Sequence, residues 1–155
     1  MIEEIVRFAL TSLVSSVCFL GCHTITSYVA DPRQLITTRP HIMSKHPWLG
    51  NATGFLSFLV FLLVILNGWL IWSWIGMILL PLFWFIVMNP LVTRSTIFND
   101  PYNDPNIRNN PEIWETINSH TSSFKILTVT SNPFVQVTVG TPVLIVITIV
   151  NVILR

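Results

Sequence analysis

Charge is scarce in this chain. Asp, Glu, Lys and Arg make up 10% of its 155 residues, against 52% hydrophobic ones, and mean hydropathy is +0.66. Between Phe55 and Met88 there is no Asp, Glu, Lys, Arg or His at all. An uncharged apolar run of ~18 residues or more reads as membrane-embedded, which rules out a soluble domain. The formal net charge of +1 leaves no electrostatic footprint for nucleic acid. Two cysteines, Cys18 and Cys22, are too few for a disulfide framework or a zinc site. Their i, i+4 spacing puts them on one helix face, as small packing residues. No HExxH, Gly-rich phosphate loop or GxSxG occurs, so nothing points to an enzyme or a cofactor.

What is present is apolar sequence in lengths that suit a bilayer. As one helix, residues 55–88 would measure roughly 51 Å, well beyond the ~30 Å hydrocarbon core. Asn67-Gly68, near the middle, is the strongest turn dipeptide in the run. The run therefore predicts a tight helical hairpin with legs at 54–66 and 69–88, each slightly short of a full crossing. A first membrane helix is expected over 8–30, rich in the small residues that let helices approach closely. Its acidic start, MIEEIVR, is unlike a secretory signal, so this helix is expected to stay uncleaved. Residues 31–53 form a polar connector, and Asn89-Pro90 is expected to break the second leg. A polar loop spans 93–133, with a short helix possible at PEIWETI, 111–117. KILTVT and FVQVTV, around Ser131-Asn132-Pro133, alternate like a β-hairpin. Because an open sheet edge cannot sit in lipid, 134–154 is read instead as a last membrane helix. The fold class is all-α: a membrane protein of one domain, with four membrane-embedded helices and a central hairpin.

Charge placement predicts orientation. Arg33, Arg39 and Lys45 lie in the first connector and Arg94, Arg108 and Lys125 in the second, leaving only Arg7 and Arg155 outside. A hairpin puts both connectors on one face, which the positive-inside rule makes cytosolic and the termini lumenal or extracellular. Asn51-Ala52-Thr53 is a glycosylation sequon that this topology expects to remain unmodified.

Two groups of residues are candidates for function. Trp69, Trp72, Trp74 and Trp84 either anchor the hairpin at the membrane interface or form a lipid-facing aromatic surface for other membrane helices. Trp114, between Ile113 and Ile117 in a polar segment, is either a docking anchor or a pin to the membrane. His23, His41, His46 and His120 are too scattered for haem or metal ligation. Thr138-Val139-Gly140 resembles the start of a potassium filter but lacks the following Tyr-Gly.

Several stretches resemble the cornichon family, small cargo receptors of COPII transport vesicles. Arg39-Pro40-His41-Ile42 is similar to that family's Asn-Pro-Ile, and FLVFLLVILNGWLIW with LLPLFWF resembles its second and third helices. DPYNDPNIRNNPEIW resembles its Asp-Pro-Thr loop. Glu112-Ile113-Trp114-Glu115-Thr116-Ile117 is similar to the Glu-Ile-Phe-Arg-Thr-Leu of fungal members, a coat-binding motif. The resemblance implies four membrane segments, lumenal ends, residence in the endoplasmic reticulum and early Golgi, and two kinds of partner. Client transmembrane proteins would meet the tryptophans in the lipid bilayer, and a vesicle coat subunit would meet residues 112–117. The chain departs from the family in three places. The acidic run after the first helix is reduced to Asp31 with a base added at Arg33, the motif's Phe is Trp114, and the last segment lacks the family's aromatic richness. A structural accessory subunit of a large membrane complex, for example a respiratory one, is the alternative from composition.

Overall fold

The structure is a computed structural model that describes residues 2–30, 46, 48–99 and 129–155. Among the described residues every regular element is helical. In chain order these are α1 (Ile2–Ala30), α2 (Trp48–Phe83), a π-helical turn (Trp84–Met88), α3 (Asn89–Arg94) and α4 (Pro133–Ile153). Three stretches are long and apolar enough to cross a membrane: Ile2–Ser27, Trp48–Arg94 and Pro133–Ile153.

The second of these does not run straight. Trp72 (φ −131°, ψ 29°) and Ser73 (φ 54°, ψ −141°) leave the helical region, and the chain folds back there. The rings of Phe61 and Trp84 lie 6.3 Å apart, whereas a straight helix would separate their Cα atoms by roughly 34 Å. Close to the bend the two legs touch backbone to backbone, with the Cα of Gly68 against the Gly76 carbonyl and the reverse. The hairpin thus turns at Trp72–Ser73 rather than at Asn67-Gly68. Asn67 and Gly68 stay helical because each serves the interior, Asn67 through its side chain and Gly68 through its lack of one.

The legs are also longer than the sequence suggests. Residues 48–53, expected in the connector, already form helix, so the first leg is about 36 Å long. The second continues past Asn89-Pro90 to Arg94, reaching about 30 Å. Proline lacks the N–H of a regular turn and crowds the preceding one. Here the turn just before it is widened, with the Asn89 N–H bonded to the Trp84 carbonyl, five residues back. α1 begins at Ile2, six residues before the expected start.

α4 opens as a capped helix. The Asn132 side-chain oxygen accepts from the Phe134 N–H at 3.0 Å, and Pro133 occupies the first turn. Residues 133–153 are therefore helix, and the alternating pattern there does not make a strand.

The burial pattern is inverted relative to a water-soluble bundle. Thr11, Ser12, Ser15, Ser16, Asn67, Thr148 and Asn151 are buried, while Phe55, Phe58, Trp74, Ile78, Phe85, Ile86, Val146 and Ile149 face outward. Such an arrangement suits hydrocarbon, where close packing and polar contacts between helices replace the hydrophobic drive. α1 is the central element, with α2 on one side and α4 on the other. Gly21 is where it meets α4: a Cβ there would lie 2.8 Å from the Gln136 Cβ and 2.9 Å from the Pro133 carbonyl. Cys18 and Cys22 are both buried in α1, and Gly140 of α4 packs directly on the Cys18 sulfur.

Candidate functional site

The described residues most at odds with their surroundings form a polar clasp between α1, α2 and α4. Asn67 and Asn151 are both 0% exposed. The Asn151 Nδ2 donates to Asn67 Oδ1 at 2.6 Å, and the Asn67 Nδ2 donates to Thr148 Oγ1 at 2.9 Å and to the Leu63 carbonyl at 2.7 Å. Thr148 in turn donates to the Leu144 carbonyl. Arg7 of α1 closes the set, its Nη1 donating to Asn151 Oδ1 at 3.5 Å and its Nε lying 3.6 Å from Glu3. Each amide hydrogen named here has an acceptor, which is what makes two buried asparagines tolerable in an apolar bundle.

The clasp lies beside the bend. Phe8 stacks on Trp72 at 4.8 Å between centroids, and Arg155 holds its guanidinium 3.5 Å over the Trp69 ring. The start of α1, the bend of α2 and the end of α4 therefore share one end of the bundle. At the opposite end Thr26 of α1 bonds Thr53 of α2 at 2.8 Å. There too the Gln136 Nε2 of α4 donates to the Phe98 and Thr130 carbonyls. The chain thus leaves and re-enters the described bundle at that opposite end, around residues 30 and 48 and again around 99 and 129.

The four candidate tryptophans are not equivalent. Trp84 is 2% exposed, with its ring edge-on to Phe19 at 5.3 Å, and belongs to the core. It has no outward surface for another helix, which removes it from the lipid-facing set. Trp72 is half-buried against Phe8, and Trp69 is exposed beneath Arg155. Trp74 is 67% exposed just past the bend. Trp69, Trp72 and Trp74 thus ring the bend. The sequence Glu112-Ile113-Trp114-Glu115-Thr116-Ile117 lies outside the described residues, as do His41 and His120. His23 is exposed on α1 and His46 lies near the Trp48 ring. Among the described residues no three His, Cys, Asp or Glu side chains converge on a point where a metal ion could bind. Thr138-Val139-Gly140 is an ordinary stretch of α4.

The clasp is not found by the sequence patterns above, which place Asn67 in a turn and single out nothing at Asn151 within the last membrane helix. The available signal was each asparagine's isolation in a run of Val, Ile and Leu. A polar side chain there needs a partner on another helix.

No known protein family, curated protein or solved structure matches the chain.

Proposed function

We propose that this chain is a non-enzymatic membrane adaptor of the early secretory pathway, a cargo receptor of the kind the cornichon resemblance implies. The observation that carries the reading is the fold-back at Trp72–Ser73, which returns the chain so that both basic connectors leave from the same end. With four membrane segments, that end is cytosolic by the positive-inside rule and the clasp end is lumenal. The cytosolic loop then presents Ile113, Trp114 and Ile117, flanked by Glu112, Glu115 and Thr116, to a coat subunit. A short motif of this type binds weakly and gains strength from coat multivalency. In the bilayer, client helices pack on the outer face of the second leg, where Trp74, Ile78, Leu82, Phe85 and Ile86 are exposed, with Trp69 and Trp72 near its end.

The test pairs topology with transport. Tags at both ends and in the second connector, with protease digestion of intact microsomes, should protect the ends and expose the connector. Trp114→Ala should slow client exit from the endoplasmic reticulum at unchanged expression and insertion. Normal export by that variant removes the coat-docking role.

The same outer face fits a second reading, a structural accessory subunit held permanently in a larger membrane complex. Co-purification separates the two. An adaptor recovers many clients below stoichiometry, whereas a subunit travels with one complex at a fixed ratio.

A further inference from the structure

We infer that the seam between α1 and the second leg of the hairpin holds bound water, gripped by the indole N–H of Trp84 and the hydroxyls of Ser15 and Ser16. Among the described residues, buried polar side-chain atoms that make no hydrogen bond concentrate on this seam. They are the Oγ atoms of Ser15 and Ser16, the Nε1 of Trp84 and the Oδ1 of Asn89, which opens α3 where it packs on α1. Arg7 Nε and Thr141 Oγ1 are the two that lie elsewhere. The serines are unusual for this helix. Thr11, Ser12 and Thr26 each donate to the carbonyl four residues back, at 2.7, 2.9 and 2.9 Å. Ser15 and Ser16 make no such bond, although both are 0% exposed.

Spacing on α1 brings these groups together. Phe8, Ser12, Ser15 and Phe19 follow one another at intervals of four, three and four residues and so share one helix face, with Ser16 beside them. At one end of that face the Phe8 ring lies 5.3 Å from the Phe83 ring, and at the other the Phe19 ring lies 5.3 Å from the Trp84 ring. These aromatic contacts set the distance between α1 and the second leg. Between them stand serines, whose short side chains leave Ser15 and Ser16 without a partner on the facing leg. Ser16 is one turn from Phe19, so its hydroxyl and the Trp84 indole lie at neighbouring levels.

The chemistry selects the occupant. An indole N–H only donates and an amide oxygen only accepts, while a hydroxyl does both. A molecule that joins them must therefore accept and donate. All four groups are uncharged, so an ion gains no counter-charge from them, and hydrocarbon satisfies none. With the serines fully enclosed and Trp84 2% exposed, the occupant is also small. Buried water typically takes about three hydrogen bonds from groups that have no other partner. Here Trp84 donates to it and the serine hydroxyls accept its hydrogens. A serine hydroxyl can turn back to its own helix, but the indole N–H has no such recourse, which makes Trp84 the group to watch. The site holds for the adaptor and the subunit readings alike.

The experiment uses the full chain with isotope-labelled tryptophan indoles in phosphatidylcholine bilayers, read by solid-state NMR with magnetisation transferred from water. The signal missing from Trp84→Phe assigns Trp84. Water should polarise the Trp84 N–H well before the methyl groups of Val64 and Leu80, which are as deeply buried. The double variant Ser15→Ala, Ser16→Ala should lose that early transfer. Should the double variant misfold, Trp84→Phe keeps a ring in the core, and in it the early transfer from water to labelled Ser15 and Ser16 should be lost. Transfer to Trp84 no faster than to the methyl groups would mean a dry seam and would overturn the site. So would early transfer that survives the loss of both hydroxyls, or a Trp84 N–H that correlates directly with a serine side chain and not with water.

Discussion

Replacing Asn67 with leucine tests whether the clasp holds the bundle together. The two side chains are close in size, so the change removes polarity and leaves little cavity. Two bonds between helices vanish: the donation from Asn151 and the donation to Thr148. Bonds of this kind in membrane bundles average ~0.6 kcal/mol each, giving about 1.2 kcal/mol together. The larger cost is the buried Asn151 Nδ2, which loses its acceptor, at about 1–3 kcal/mol. Thr148 keeps its own bond to the Leu144 carbonyl and adds little. The expected loss is about 2–4 kcal/mol, read from reversible unfolding in mixed micelles by tryptophan fluorescence. Asn67→Leu combined with Asn151→Leu leaves no stranded donor between them, so the pair should cost at least about 1 kcal/mol less than the sum of the singles. A single substitution costing below about 0.5 kcal/mol, with strict additivity in the double, would refute the reasoning.

Three further expectations use the same unfolding assay. Gly68→Ala and Gly76→Ala each drive a methyl into the opposite leg's backbone, so each should cost about 1–3 kcal/mol or more, while Gly54→Ala, which meets nothing within 4 Å, should be neutral or slightly stabilising. Ser73→Gly should stabilise by about 1 kcal/mol by relieving a positive φ, and Ser73→Val should destabilise. Trp84→Ala should cost about 3–5 kcal/mol as a core truncation, whereas Trp74→Ala should change stability by under about 0.5 kcal/mol.

Helix content and approximate spans were legible from the sequence because apolar length alone dictates them. The bend was not, for a physical reason. Asn-Gly marks turns in water, where a freed backbone group finds a solvent partner, but in lipid a turn inside the hydrocarbon strands those groups. The chain instead keeps its helix up to Ile71, leaves it at Trp72–Ser73, and uses Gly68 for close approach. A signal for this exists in the spacing, since Gly68 and Gly76 are equidistant from residue 72, and Phe61 and Trp84 nearly so. In this chain, symmetry of small and aromatic residues about residue 72 marks the hairpin that turn propensity misplaces. The same environment explains α4: its Val, Ile and Thr favour strands in a half-buried sheet, yet facing lipid a lone segment has only the helix to satisfy its backbone. For Trp84, aromatic type suggested a boundary residue, and only the fold-back that sets it against Phe19 and Phe61 makes it core.

The sequon at Asn51 shows how local structure can outweigh topology. On sequence alone its modification would report which side of the membrane the first connector faces. In the structure, however, Asn51-Ala52-Thr53 lies in the first turns of α2 rather than in an extended loop. The Thr53 hydroxyl is 2.8 Å from both the Thr26 hydroxyl and the Leu49 carbonyl, to which it donates, and the residue is 6% exposed. Glycan transfer needs that hydroxyl free and the backbone opened, so unwinding here would break both contacts along with the seam where Gly50 packs on Val29. An unmodified Asn51 is therefore expected on either side of the membrane. Only a sugar found there would be informative, since it would put this end of the bundle in the lumen and its helical start in doubt. Sidedness must be read from acceptors or tags beyond α1 and α4, where no helix competes for the sequence.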